Sequence, residues 1–296
     1  MIVVTGASGN TGSSTAEALL KKGEKIRIIG RSAEHLQHLT ERGAEALVGD
    51  VGDPEFLTRA LTGADAAYIL IPPKMDTEDV RAHYNKIGRV IVDSVKRSGL
   101  RKLVFLSSLG AEHDSGTGPV VGLHDVEKLL GELKDVDIVF LRAGYFFENT
   151  LMNLEQVKNR SVYAYPLEPD APILMVSAKD IGQKAAELLL KRNFKDHTVV
   201  DLFGHRITLQ EVSRIIGKKL DIPNVTYIHA PDRETLDGMM AMGLSRNMAE
   251  SLVELAHGIS KGRITTTLLD PSKPNAPTRF EKFIDEALKP TYKKAA

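Results

Sequence analysis

Apolar positions in the first half of the chain come in short runs: Ile2-Val3-Val4, Lys25 to Ile29, Ala46-Leu47-Val48, Ala66 to Ile71, Lys102 to Ser107 and Asp137 to Leu141. Short apolar runs without clean alternation predict strands covered by helices on both faces, as in a parallel sheet. Between them lie helical stretches: Ser13 to Lys22, Ala33 to Arg42 stopped by Gly43, Pro54 to Leu61 with Asp53 as N-cap, a long helix from about Thr77 to Ser98 ended by Gly99, and Val126 to Leu133. The repeat of strand and helix predicts an α/β fold with a doubly wound parallel sheet.

Beyond Asn149 the pattern loosens. Helices are expected over Met152 to Val157, Ala178 to Lys191, Pro231 to Met242 and Arg246 to His257, with strands over Ile173 to Val176, Thr198 to Phe203 and Val225 to Ile228. Tyr163 to Pro172 reads as a proline-bearing connection, and Thr208-Leu209-Gln210-Glu211 as a capping box opening a helix to Leu220. Phe280 to Leu288 closes the fold, and the tail Lys289 to Ala296 is expected to fray. The expected division is a sheet domain over residues 1–150 and a smaller α/β lobe over 151–296, partly interleaved with it and lying over the sheet's carboxyl edge. Met239, Met240, Met242 and Met248 suit core filling or an adaptable pocket.

The first strand leads into Thr5-Gly6-Ala7-Ser8-Gly9-Asn10-Thr11-Gly12 and then a helix. Glycines at these three spacings turn the chain off the strand, let a phosphate approach the backbone and let the helix pack closely, which is the pattern of a dinucleotide site. The second strand ends in Gly30-Arg31-Ser32, where such a site selects its cofactor. An acidic residue there would bind a ribose 2′-hydroxyl, whereas Arg31 either is simply solvated or accommodates the 2′-phosphate of NADP.

Lys plus Arg and Asp plus Glu balance at 39 each, so overall charge asks for neither nucleic acid nor an anionic membrane. The absence of Cys excludes disulfides and thiolate chemistry. No apolar stretch approaches the length of a membrane span, and Met1 runs directly into a core strand, so a cytoplasmic protein is expected. No His or Cys spacing suits a metal, and Ser107-Ser108 lacks the Gly-x-Ser-x-Gly elbow of a hydrolase.

The glycine turn, Gly49-Asp50, Leu106-Ser107-Ser108-Leu109-Gly110-Ala111, Leu141-Arg142-Ala143-Gly144-Tyr145-Phe146-Phe147-Glu148-Asn149 and Val176-Ser177-Ala178-Lys179-Asp180-Ile181-Gly182 together resemble the NmrA-like group of atypical short-chain dehydrogenase/reductases. That group includes NADPH-quinone, azo-dye and triphenylmethane reductases, isoflavone-type reductases, and regulators that bind the dinucleotide without obvious turnover. The resemblance covers roughly Ile2 to Leu220. It implies that Gly6, Ser8, Gly9, Asn10, Thr11 and Gly12 hold the pyrophosphate, Arg31 the 2′-phosphate, Asp50 with Val51 the adenine, and Leu70, Ile71 and Pro72 the middle of the cofactor. It further implies that Ser107 and Ser108 stand near the nicotinamide ribose, and that Tyr145, Phe146 and Phe147, with Leu109, bound the nicotinamide and substrate space.

The wider superfamily uses a Tyr followed three residues later by a Lys, the ammonium lowering the phenol's pKa. Here no Tyr occurs between Ser108 and Asp137, and His124-Asp125-Val126-Glu127-Lys128 occupies that stretch. Three readings remain. His124 donates a proton, with Lys128 one turn on as a further candidate; or solvent protonates a stabilised product; or the protein senses the cofactor without turnover. The glycine-rich loop Ala111 to Gly122 is a candidate lid. The reading that joins these observations is an NADPH-dependent oxidoreductase, preferring NADP(H) over NAD(H), that passes hydride to a small conjugated acceptor such as a quinone. The competing reading is a non-catalytic NADP(H)-binding redox sensor acting through a protein partner.

Overall fold

Each apolar run of the first half forms a strand, and the glycine turn sits at the carboxyl end of the first. The structure, a computed structural model, describes residues 1–294. In chain order it contains β1 (Ile2–Val4), α1 (Asn10–Lys21), β2 (Ile26–Gly30), α2 (Ala33–Thr40), β3 (Glu45–Val48), α3 (Pro54–Leu61), β4 (Ala66–Ile69), α4 (Val80–Ser98), β5 (Lys102–Ser108), α5 (Val120–Leu130) and β6 (Asp137–Ala143). There follow β7 (Tyr145–Phe146), a 3₁₀ turn (Phe147–Asn153), α6 (Leu154–Arg160), β8 (Val162–Tyr165), β9 (Ile173–Val176), α7 (Ala178–Lys191), β10 (His197–Leu202), β11 (His205–Ile207), α8 (Leu209–Leu220) and β12 (Thr226–His229). Then come α9 (Asp232–Ala241), α10 (Arg246–Ser260), α11 (Phe280–Phe283), a π-turn (Ile284–Leu288) and α12 (Lys289–Lys294).

The main sheet has seven parallel strands in the order β10-β6-β5-β4-β1-β2-β3. The order reverses between β1 and β4, and that switch point is where open sheets of this kind bind ligands. Alternate residues of each strand feed two cores. Val4, Tyr68, Val104 and Leu141 meet α1 and α7 on one face, whereas Val3, Ile69, Phe105 and Phe140 meet α3, α4 and α5 on the other. The two faces together bury the sheet, as its apolar strands require.

The second half returns to this sheet rather than standing apart. α7 lies along α1, and β10 pairs with β6 as the outermost strand. A third core, built from Phe147, Tyr163, Ile173, Met175, Phe203, Val212 and Phe280, forms a smaller lobe around two minor sheets, β11-β9-β7 and β12-β8.

Local signals place most ends. Asp53 caps α3 by accepting from Glu55 N and Phe56 N, a contact typically contributing about 1 kcal/mol. Gly99 ends α4 in the left-handed region, and Thr208 with Glu211 forms the expected capping box. Three expectations change. The fifth helix begins at Val120, not Val126, because Gly118 turns the chain at φ +59° and Pro119 supplies a preset helical φ. The stretch from Tyr163 is not all connection, since β8 pairs in parallel with β12. Lys289–Lys294 continues as helix rather than fraying, while residues 295–296 lie outside the described residues.

Candidate functional site

A cleft of about 1230 Å³ opens at the carboxyl ends of β1, β2, β4 and β5, with β7 and α10 closing its far side. Its construction starts at the glycine turn. Thr5 Oγ1 accepts from Leu70 N at 3.1 Å and Ala7 N donates to Ile29 O at 3.0 Å, so the turn is tied to both neighbouring strands. Gly6 adopts φ +63°, and a Cβ on Gly12 would lie 2.2 Å from Gly6 O, so only glycine lets α1 approach the turn. Gly9 caps α1 without a side-chain hydrogen bond, and no acidic residue stands in the first turn. The free N–H groups and the positive end of the helix dipole are therefore left for an anion.

Along the cleft from this turn stand Gly6, Ser8, Gly9, Asn10, Thr11, Arg31, Asp50, Val51, Leu70, Ile71 and Pro72. Arg31 is exposed and, among the described residues, has no hydrogen-bond or ion-pair partner. Asp50 Oδ1 accepts from Gly52 N at 2.7 Å, so Asp50 closes its own turn as well as lining the cleft. Gly12 acts from behind, through helix packing, and does not itself line the space.

Ser107 and Ser108 also line the cleft, where β5 ends. Ser107 Oγ donates to Glu127 Oε1 at 2.5 Å. Arg142, beside Ser107 in the β5–β6 register, clamps both oxygens of Glu127 at 3.0 and 2.6 Å and reaches Glu112 Oε2 at 2.9 Å. Burial works against the guanidinium charge, but these carboxylates outweigh it and hold the Arg142 pKa above its ordinary value. The result is a fixed serine whose proton is committed inward and whose oxygen is free to accept from a cleft ligand. Ser108 Oγ donates to Leu109 O at 3.0 Å.

On the far side, β7 presents Tyr145 towards the lobe core and Phe146 towards the sheet core, as alternation along a strand dictates. Burial raises the Tyr145 phenol, while side-chain hydrogen bonds from Tyr165 and Asn149 oppose the shift. Asn149, Leu255 and Ile264 complete this wall.

Four expected site residues lie elsewhere. Phe147 is fully buried and packs on Phe280 and Phe283, with ring centroids 5.3 and 5.4 Å away, and Leu109 belongs to the same lobe core. His124 is buried with Nδ1 2.8 Å from Ala111 O, outside the cleft lining, and its Nε2 is enclosed without a partner. The helical phase differs by one residue from that expected: Leu123, not His124, faces the cleft. Lys128 is exposed on α5, away from the lining residues. The glycine-rich loop is not built as a lid either. Arg263 Nη1 donates to Ser115 O at 3.1 Å, Thr117 is fully buried, and a Cβ on Gly118 would lie 2.1 Å from Ser251 O.

Glu127, Tyr165, Leu255 and Ile264 were given no role by the sequence, and Arg142 stood in the stretch Leu141 to Asn149 that carries the resemblance without being given one. Arg142 carried a signal, because a cation directly after the apolar run Ile138 to Leu141 needs a buried partner. Among the described residues no group of acidic or imidazole side chains could hold a metal, and no helix is long and apolar enough to cross a membrane.

Fold and cleft together define a Rossmann-type doubly wound sheet with a ligand site at its switch point. The profile of the NmrA-like family matches residues 1–286, and the chain belongs to that family, beyond the stretch to Leu220 over which its motifs are recognisable. It is 24% identical over 261 residues to an NAD(P)H azoreductase of Xenophilus azovorans, covering 86% of each chain. It is 26% identical over 280 residues to quinone oxidoreductase 2 of Escherichia coli, covering 92% of this chain and 91% of that one. The crystal structure of an NADPH-dependent quinone oxidoreductase from E. coli, complexed with NADPH, superposes with a TM-score of 0.81 at 24% identity over 97% of this chain and all of that one.

Proposed function

We propose that this protein is an NADPH-dependent reductase of small conjugated acceptors, of the quinone and azo-dye kind. The observation that carries this reading is the junction, in one cleft, of a helix start with no side-chain cap, an Arg31 that has no partner among the described residues, and an apolar and aromatic wall. The residues present fit a phosphorylated dinucleotide: the glycine turn offers N–H groups to a pyrophosphate, and Arg31 offers a fork of donors to a 2′-phosphate. The names of the relatives, an azoreductase and a quinone oxidoreductase, support the acceptor class.

The cofactor, when bound, supplies the hydride. The chain's own contribution is positioning. Ser107, held by Glu127, would offer its oxygen as an acceptor to the nicotinamide half of a bound cofactor, while Val120, Leu123, Phe146 and Ile264 would exclude water from the space left for a flat acceptor. His124 and Lys128 have no part in this account, because neither faces the cleft. Leu123, standing where a proton donor was sought on α5, favours a second reading in which the protein binds NADP(H) as a redox sensor and acts through a protein partner.

The test is steady-state oxidation of NADPH by purified protein against benzoquinones, naphthoquinones, an azo dye and an enone, with NADH in parallel. The reductase reading expects saturable turnover with one acceptor class and higher kcat/KM for NADPH. Tight NADPH binding with no turnover on any of them would favour the sensor.

A further inference from the structure

Of the methionines clustered at Met239, Met240, Met242 and Met248, the structure sends two inward and leaves one in the open. Met239 and Met248 are buried, Met248 in the core that α3, α4 and α5 form on the sheet. Met240 is half-buried, and Met242 stands 60% exposed. A further exposed methionine, Met75, at 44%, lies in the loop between β4 and α4 and lines the cleft. Single exposed apolar side chains are ordinary on a protein surface. Met75 and Met242 are set apart by where the backbone holds them.

The loop that carries Met75 is tied to the start of α10. Ser245 N donates to Met75 O at 2.9 Å, Ser245 Oγ donates to Thr77 O at 2.5 Å, and Val80 N donates to Asn247 Oδ1 at 2.9 Å. Ser245 also caps α10, its Oγ accepting from Met248 N at 3.0 Å. Only Gly243 and Leu244 separate Met242 from Ser245, so both exposed methionines stand at this one junction. From Ser245 the chain runs along α10 to Leu255 in the acceptor wall, a span of about 15 Å. Met248 and Leu252 join the same core as Leu123 along the way.

The charges nearby do not suit an ionic ligand at this junction. Lys74 and Asp76, on either side of Met75, also line the cleft, one cation and one anion, and so offer no net charge. Lys86 precedes Ile87, whose Cδ1 would lie 2.9 Å from a Cβ on Gly52, and therefore belongs to the Asp50 end.

We propose that Met75 and Met242 form a tail-binding strip that continues the acceptor site, and that the acceptors of this cleft carry a neutral alkyl or prenyl substituent on the conjugated ring. The placing of the ring rests on the reductase reading above. The occupant follows from continuity. Met75 is part of the lining, so what covers it begins inside the cleft, and the phosphates and riboses of the cofactor ask for hydrogen-bond partners rather than thioethers. A substituent of the acceptor is the group left to run onto the strip, and flexible methionines fit chains of differing length and branching.

Calorimetric titration of the NADP⁺-saturated protein with 2-alkyl-naphthoquinones, from methyl through butyl and hexyl to octyl, tests this without requiring turnover. Full burial of a methylene is worth about fourfold in affinity, so a chain covered on one side is expected to gain about twofold per methylene, roughly 10²-fold from methyl to octyl. Met75→Asn and Met242→Asn change exposed side chains, and each is expected to remove about tenfold of that gain. Ile228→Asn, on β12 and also 44% exposed, is expected to keep it. Affinity that does not change with chain length would overturn the proposal, as would the wild-type dependence persisting in both methionine variants or falling equally in Ile228→Asn. In sedimentation with phosphatidylcholine vesicles the protein is expected to stay in solution; vesicle binding that Met242→Asn abolishes would make the strip a membrane surface instead. If none of these quinones oxidises NADPH in a parallel steady-state assay, the reductase reading fails, and the tail site stands or falls by the chain-length dependence alone.

Discussion

Arg31 follows β2 directly, exposed, at the cleft and, among the described residues, without a partner, so its charge costs nothing to redirect towards a ligand. Charge-assisted contacts to a 2′-phosphate typically contribute about 1.5–3 kcal/mol. Arg31→Ala is therefore expected to weaken NADPH binding about tenfold to a hundredfold and to leave NADH binding nearly as it was, as fluorescence titration would read. An unchanged ratio of the two affinities would place the selectivity elsewhere. Glu148 illustrates the opposite economy. Its Oε1 accepts from Ala178 N at 3.0 Å while Oε2 is enclosed without a partner. Burial, aided by the Asp180 charge, raises its carboxyl above the ordinary value of 4.5 despite the backbone hydrogen bonds. A carboxyl raised in the folded state binds more protons there than in the unfolded chain, so stability falls as pH rises from the ordinary value through the folded one. Glu148→Gln keeps an acceptor for Ala178 and removes the ionisation. Thermal melts are expected to show stabilisation at neutral pH that disappears in acid; equal effects at both would refute a buried charge as the cause.

At the scale of elements, the decisive feature is the loop between β5 and α5. Its glycines and proline read in the sequence as a soft segment, yet Gly118 is pressed against the Ser251 carbonyl of α10 and Gly116 lies under Arg263. A side chain at residue 118 meets both a positive φ and a clash, so Gly118→Ala is expected to cost about 2 kcal/mol or more, measured by denaturant unfolding. Wild-type stability in that variant would restore the loop as a candidate lid. The strands and helices around the first glycine turn were legible because their signals are local: apolar runs, an Asp-Pro start at Asp53, a glycine stop at Gly99. The phase of α5 was not. Gly118, Pro119 and Gly122 mask its first turn, and one residue of phase exchanges Leu123 for His124 at the cleft. β8 was hidden for a different reason, since the strand it pairs with, β12, comes some sixty residues later in the chain.

Across the whole molecule, the second half is both cover and continuation of the first. α7 and β10 complete the main sheet, and the irregular strap between α10 and α11 is fastened at both ends by buried carboxylates. Thr266 Oγ1 donates to Asp201 at 2.5 Å, and Thr278 donates through N and Oγ1 to the two oxygens of Asp180 at 2.9 and 2.8 Å. Ile264, at the start of this strap, reaches the cleft, so the substrate wall is assembled from β7, α10 and the strap together. The phosphate side of the site was legible because backbone geometry does that chemistry and glycine marks it. The acceptor side was legible in Tyr145 and Phe146 and in the stretch that ends at Asn149. Tyr165, Leu255 and Ile264 join it through long-range packing that no local pattern announces.

The central claim is that the cofactor is a reactant in this cleft rather than a signal. A single-turnover experiment tests it most directly: preform the protein–NADPH complex, mix it rapidly with excess naphthoquinone and follow nicotinamide fluorescence. The account predicts an exponential loss of the reduced cofactor whose rate rises and then saturates with quinone concentration. A bound cofactor that stays reduced at every concentration of quinone, azo dye or enone would contradict it.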